Sequence, residues 1–186
     1  VFIGSNNALY KSANGGKTWK YVPVGGWVLK MVESNGVLLA AGSKGILRST
    51  DDGENWDRVI SEGGDGVAVE RIDGGFAAIG YNTITKTNNL HISLDGGKTW
   101  KDIGEGLQPS WGSALVKNIF GPKSSLYISS IKQMGKYLIC GSSEGIFRSA
   151  DMGKTWTKLS LPAVENKGFS LTVSGNVIYI MPNKGC

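Results

Sequence analysis

The chain has 186 residues, of which 28 are Gly; 40% are apolar, 19% are charged, and the net charge is +5. That composition suits one domain with a packed core and is too apolar for a disordered chain. No stretch approaches the roughly 18 consecutive apolar residues of a membrane span. The 20 Lys and Arg residues are scattered singly, whereas a nucleic-acid partner would call for clustering on one face. Two cysteines, Cys140 and Cys186, do not make a disulfide framework. Cys140 sits in the apolar run Tyr137-Leu-Ile-Cys140 and is expected to be a buried thiol; its pairing with Cys186 stays open. The chain starts at Val1 without a signal-peptide pattern, as a processed chain or part of a longer one would.

Internal repeats dominate. Lys11-Ser-Ala-Asn-Gly-Gly-Lys-Thr-Trp19, Arg48-Ser-Thr-Asp-Asp-Gly-Glu-Asn-Trp56, Ile92-Ser-Leu-Asp-Gly-Gly-Lys-Thr-Trp100 and Arg148-Ser-Ala-Asp-Met-Gly-Lys-Thr-Trp156 share one pattern, Ser-x-Asp/Asn-x-Gly-x-Thr/Asn-Trp. The tryptophans are 37, 44 and 56 residues apart, bracketing the period of about 40–50 expected of propeller blades.

In chain order, Val1–Val24 holds strands B, C and D of a unit without its strand A. Gly25–Glu62 is a full unit, with strands predicted at Val28–Ser34, Val37–Ala41, Ile46–Ser49 and Asn55–Ile60. Gly63–Leu107 and Gln108–Pro162 are two more, and Ala163–Cys186 supplies strand A (Phe169–Val173) and strand B (Val177–Met181). Turn residues such as Asn35-Gly36 separate the strands, and no window has helical spacing. Strands this short cannot bury a face alone, so the expectation is an all-β chain, a β-propeller of four-stranded antiparallel blades around an axis. About four and a half blades are present in one domain, 1–186, with blades near 1–24, 25–62, 63–107, 108–162 and 163–186. They read as a segment of a larger ring or as a five-bladed ring closed by the termini.

The repeated octapeptide reads as the turn between strands C and D. Asp51, Asp95 and Asp151, and Asn14 through its amide oxygen, can accept hydrogen bonds from turn amides. Gly16, Gly53, Gly97 and Gly153 supply a backbone conformation other residues resist. Ser12, Ser49, Ser93 and Ser149 can tie the hairpin, and Trp19, Trp56, Trp100 and Trp156 are expected to begin strand D and bury their rings between blades. A structural role is expected for all four motifs.

These motifs resemble the Asp-box (BNR) repeat of sialidases, sortilin-type receptor domains, xyloglucan-cleaving hydrolases and photosystem assembly factors. The resemblance implies a propeller whose Asp boxes lie away from the ligand face, and an extracellular or surface-associated location. A sialidase would need three converging arginines; Arg48 and Arg148 are repeat-equivalent, and with Arg58 and Arg71 they do not form a triad in sequence. Asp65, Glu70, Asp73, Glu105, Glu144 and Glu165 have no spacing that marks a glycosidase pair and read as solvated. His91 lacks partners at ligand spacing and reads as a strand-surface residue. The polar segment Thr83–Thr87 with Asn88-Asn89 reads as a solvated hairpin tip. No catalytic residue, metal ligand or cofactor is expected.

The opposite face holds the B–C and D–A connections, where binding residues concentrate on rigid scaffolds. Trp27 lies in one connection, and Gln108–Lys123 is an insertion carrying Trp111 and Phe120. With Lys44, Tyr81 and Glu144 at other tips, these form a candidate aromatic, mixed-charge patch for a protein or glycan; the alternative is that Trp27 and Trp111 plug gaps between blades. The functional expectation is a non-catalytic binding scaffold. The alternative is a fragment of a secreted sialidase- or xyloglucanase-like hydrolase whose catalytic residues lie outside this chain or are incomplete in it, and a third class is an assembly factor docking on a membrane complex.

Overall fold

The computed structural model describes residues 1–5, 8–107, 127–161 and 168–182. Trp111, Phe120, Glu165, Cys186 and the 108–123 insertion lie outside the described residues. Those described form strands and one 3-10 turn, Glu105–Leu107. The first sheet contains β1 (Phe2–Gly4), β2 (Leu9–Lys11) and β3 (Lys20–Val22). The second contains β4 (Val28–Ser34), β5 (Val37–Gly42), β6 (Gly45–Ser49) and β7 (Asp57–Ile60). The third contains β8 (Gly63–Ile72), β9 (Gly75–Asn82), β10 (Thr87–Ser93) and β11 (Lys101–Asp102). The fourth contains β12 (Ile128–Met134), β13 (Tyr137–Ser142), β14 (Gly145–Ser149) and β15 (Thr157–Lys158), and the last β16 (Phe169–Ser174) and β17 (Val177–Pro182). All pairings are antiparallel between sequence neighbours. The chain is thus all-β, in successive antiparallel sheets of which three have four strands.

The period-2 alternation of a strand decides how these sheets stack. On β5 and β6, Ala40 and Leu47 face back to Leu9 and Val22 of the first sheet. Their neighbours Leu39 and Ile46 face forward to Val69, Phe76 and Ala78 of the third. The third sheet repeats the arrangement, turning Ile79 and Leu90 forward to Ile131, Leu138 and Phe147. Ile139 and Ile146 of the fourth then meet Phe169 and Leu171. Each buried Ile, Leu or Phe contributes roughly 1.5–3 kcal/mol, and no sheet could bury such residues on both faces alone. The first strands of the last four sheets touch in succession, β4 on β8, β8 on β12 and β12 on β16, so the sheets fan out as blades around a common axis.

Polar groups lock the blades together. Lys11 and Lys20 of the first reach Glu54 of the second at 2.9 and 2.6 Å, which holds the Glu54 carboxyl below its ordinary pKa, chiefly through Lys20. Asn88 Nδ2 donates to the Ile128 carbonyl at 2.7 Å. Asn88 is therefore buried between blades and not at a solvated tip, because β10 continues to Thr87 and places it on the forward face. Ser129 and Ser130 hydroxyls both donate to the Phe169 carbonyl, at 2.7 and 2.6 Å.

Two faces have no described sheet against them. On the first blade, Ile3, Tyr10 and Tyr21 lie opposite one another across three strands and are exposed, with Tyr10 and Tyr21 in edge-to-face contact. On the last, Val177, Tyr179 and Met181 are exposed.

Candidate functional site

The Asp boxes occupy one end of the blades. In each, the Ser hydroxyl is buried, donates to the Asp or Asn Oδ1 at 2.8–3.0 Å and accepts the Gly amide four residues on at 2.8–2.9 Å. The same Oδ1 accepts the amide of Thr18, Asn55, Thr99 or Thr155 at 2.9–3.0 Å. These donors stabilise the charged carboxylates. Asp51 falls to about 2 through the Asn55 amide and side chain, and Asp151 to about 2 through the Thr155 hydroxyl and amide. Asp95 is lowered further, first by the Thr99 hydroxyl.

Two left-handed residues in a row close each box. At Asp52 and Gly53 φ is 56° and 80°, and at Met152 and Gly153 it is 57° and 84°. The glycines also lie tight on the preceding blade: a Cβ on Gly53 would sit 2.8 Å from the Phe2 ring, and one on Gly153 2.5 Å from Ile103 Cδ1. The tryptophans do not begin strand D; β3, β7, β11 and β15 start one residue later. The reason is that each ring folds back over its own turn or onto the preceding blade. Trp56 and Trp100 donate to the Gly53 and Gly97 carbonyls at 3.0 and 3.1 Å, and Trp156 to Ile103 at 2.9 Å. Trp56, Trp100 and Trp156 are half-buried, whereas Trp19, with no described blade before it, is 40% exposed.

The other end carries the B–C and D–A connections. Trp27 immediately precedes β4, is half-buried, and its carbonyl accepts the Ser43 amide at 3.1 Å. Lys44 is exposed in the β5–β6 turn, its stem over Gly25. The structure brings these two together in one blade. Tyr81, half-buried near the end of β9, covers Gly64, where a Cβ would lie 2.7 Å from its ring. Glu144 is half-buried in the β13–β14 turn, and its amide donates to Ser142 Oγ at 3.1 Å. Among the described residues, no hydrogen bond or ion pair joins Tyr81 or Glu144 to Trp27 or Lys44; the four share an end of the fold, one blade after another.

Beside them lies a group that sequence reasoning missed. Glu62 Oε2 accepts from Asn89 Nδ2 at 2.9 Å, and Glu62 Oε1 lies 3.3 Å from His91 Nε2, without hydrogen-bond alignment. His91 is thus buried between the second and third blades and is not a strand-surface residue. It takes the position of Leu47 and Phe147 in the neighbouring blades, which face backward into the core.

A second missed group lies on the axis. Glu70 Oε1 accepts from Lys132 Nζ at 2.6 Å and also from Lys30 Nζ. Glu70 is largely buried and not a solvated acid. Burial, followed by the charge of Lys132, lowers Lys30 to about 8. The arginines do not converge: Arg48 Nε donates to the Gly96 carbonyl at 2.7 Å, Arg148 stacks 4.8 Å over the Tyr137 ring, and Arg58 reaches Ser61. Burial raises the Cys140 thiol far above its ordinary pKa. Among the described residues, no helix is long and apolar enough to cross a membrane.

Two models of the BNR/Asp-box repeat match the chain, one over residues 146–159 and the other over 91–102. Comparison with curated proteins gives no match. Among solved structures, an ancestral GH74 enzyme superposes with a TM-score of 0.66 at 16% identity, over 87% of this chain and 22% of that one. A GH74 xyloglucanase from Xanthomonas campestris gives 0.60 at 16%, over 88% and 28%. YCF48 bound to a D1 peptide gives 0.61 at 18%, over 96% and 56%. The chain therefore spans about a quarter to a half of these structures. The chain thus carries the BNR/Asp-box repeat motif at residues 91–102 and 146–159, and its sheets share the β-propeller fold of these solved structures.

Proposed function

We propose that the chain is a non-catalytic binding scaffold that recognises a protein segment through its B–C and D–A loop face. The observation that carries this reading is the division of labour between the two ends. At one end the Ser hydroxyl and the Asp or Asn side chain of each Asp box are engaged by their own turn. At the other, Trp27, Lys44, Tyr81 and Glu144 lie on consecutive blades, and Trp and Tyr are among the residue types enriched in recognition hot spots. The neighbour YCF48, captured with a peptide, supports a protein ligand. Peptide and glycan arrays probed with the purified chain test the reading, with Trp27→Ala and Tyr81→Ala as controls. A peptide signal falling about tenfold or more in either variant is expected, the loss of one hot-spot residue. A signal that both variants leave intact overturns it.

A second reading is a fragment of a glycoside hydrolase, favoured by the two GH74 neighbours and by Glu62, Asp65 and Glu144 on the same face. Release of reducing sugar from xyloglucan by the chain, abolished by Glu62→Gln or Glu144→Gln, would favour it over the first.

A further inference from the structure

Two Asn-Gly pairs occur in the chain, Asn14-Gly15 and Asn35-Gly36. A glycine leaves its amide nitrogen without side-chain cover, so that nitrogen can attack the side-chain carbonyl of the asparagine before it. Both asparagines are exposed, yet the structure holds their carboxamides differently. Asn14 is tied into the first Asp box: its Oδ1 accepts from the Ser12 hydroxyl at 3.0 Å and the Thr18 amide at 2.9 Å, and its Nδ2 donates to Thr18 Oγ1 at 2.8 Å. Asn35 sits in the β4–β5 turn, and among the described residues no hydrogen bond holds its side chain. The Gly36 amide lies outside the β4–β5 ladder and donates to the Glu33 carboxylate at 2.9 Å.

The repeat shows what faces this turn. Asn35 and Asp73 each follow the last residue of their blade's first strand, and Arg71 and Gln133 are each the last residue but one of the first strand of the next blade. Between the third and fourth blades, Gln133 Nε2 donates to Asp73 Oδ2 at 2.8 Å, and its Oε1 accepts the Asp73 amide at 2.6 Å. Between the second and third blades, the same two places hold Asn35 and Arg71. Cross-strand partners share a face. Phe76, the partner of Arg71, packs against the second blade, so Arg71 leaves its strand on the second-blade side. Arg71 is exposed, and among the described residues no carboxylate or other acceptor pairs with it. A neutral amide at position 35 leaves the guanidinium without a counter-charge, whereas a carboxylate there would supply one.

We propose that Asn35 is a self-modification site whose product is a carboxylate that pairs with Arg71 across the second and third blades. The Gly36 nitrogen bonds to Asn35 Cγ, the Cγ–Nδ2 bond breaks, and Nδ2 leaves as ammonia carrying the Gly36 proton. Water then opens the cyclic imide, adding hydroxyl to a carbonyl carbon and a proton to the Gly36 nitrogen. Opening at Cγ gives an ordinary aspartate and opening at the main-chain carbonyl its β-linked isomer; both carry the negative charge at neutral pH. The turn lies at the Asp-box end between two four-stranded blades, apart from the loop face, and is independent of the reading above.

The test follows both asparagines by peptide mapping while the whole chain stands in warm buffer at pH 8, each conversion adding about one mass unit. Asn35 should convert about tenfold or more faster than Asn14, the equivalent of one or two of the hydrogen bonds that hold Asn14. Asn35→Gln should remove the fast conversion. Asn35→Asp, which carries the ordinary product, should lower the unfolding equilibrium constant at low salt by up to about fivefold, the range of an exposed ion pair. Arg71→Gln should abolish that gain. Equal rates at the two asparagines, or an Asn35 that stays intact in the folded chain while it converts in denaturant, overturns the proposal. So does an Asn35→Asp effect that is absent, or the same with and without Arg71.

Discussion

Trp156 and Ile103 belong to different blades, yet the indole Nε1 of one donates to the carbonyl of the other at 2.9 Å. The same ring packs on the cluster that joins the third and fourth blades. Removing it opens an interface as well as breaking a hydrogen bond. Trp156→Ala should cost about 3–5 kcal/mol, and Trp156→Phe, which keeps most of the packing, about 1–2 kcal/mol. Trp19→Ala, at an open face, should cost under about 1 kcal/mol. Urea denaturation of the three variants checks the order.

The Asp boxes predict acid sensitivity of definite sign. Asp51, Asp95 and Asp151 have folded pKa values below the unfolded value of about 3.9. The folded state then holds fewer protons than the unfolded one, so the stabilisation is complete above about pH 4 and is lost as pH falls through the folded values near 2. Thermal midpoints measured from pH 6 to pH 2 should drop along this limb. The slope should be shallower in Asp51→Asn and Asp151→Asn. Asn14 already fills the same position with a neutral amide that makes the same contacts, so the first box should contribute nothing to the limb.

Lys30 predicts an effect at the other end of the scale. Its pKa of about 8 lies below the unfolded value of 10.5, so the unfolded chain holds more protons between these values and stability should rise with pH across that window. In Glu70→Gln, Lys30 and Lys132 face each other without their shared carboxylate. That variant should be destabilised at pH 7 and recover partly by pH 10. Chemical denaturation at the two pH values measures this; a deficit equal at both would show that the lysine charges are not its source.

Cys140 should be inert in the folded protein, because its thiol is fully buried and held protonated. Iodoacetamide at pH 8 followed by peptide mapping should leave Cys140 unmodified in buffer and label it fully in denaturant. Labelling in buffer at the rate of a free thiol would contradict the packing of β13.

Fold and site were legible in the sequence to different depths. Strand limits were legible because turns are local: β4 is the predicted Val28–Ser34, and β5, β6, β16 and β17 each differ from prediction by one residue at one end. Asn35 and Gly36, at φ 52° and 76°, show why, since only such residues reverse a chain so tightly. Of the loop face, the sequence placed Trp27, Lys44, Tyr81 and Glu144 at one end but could not say which of them touch.

The amino-acid order by itself determined the repeat, the antiparallel sheets and the Asp-box turns, all of which depend on contacts between residues a few positions apart. Only the tertiary structure decided that Glu70 draws lysines from two other blades and that His91 lies against Glu62. Lys30 and Lys132 are each tens of residues from Glu70 in sequence. They meet because β4, β8 and β12 lie side by side along the axis, a proximity created by the stacking of successive blades and carried by no local pattern.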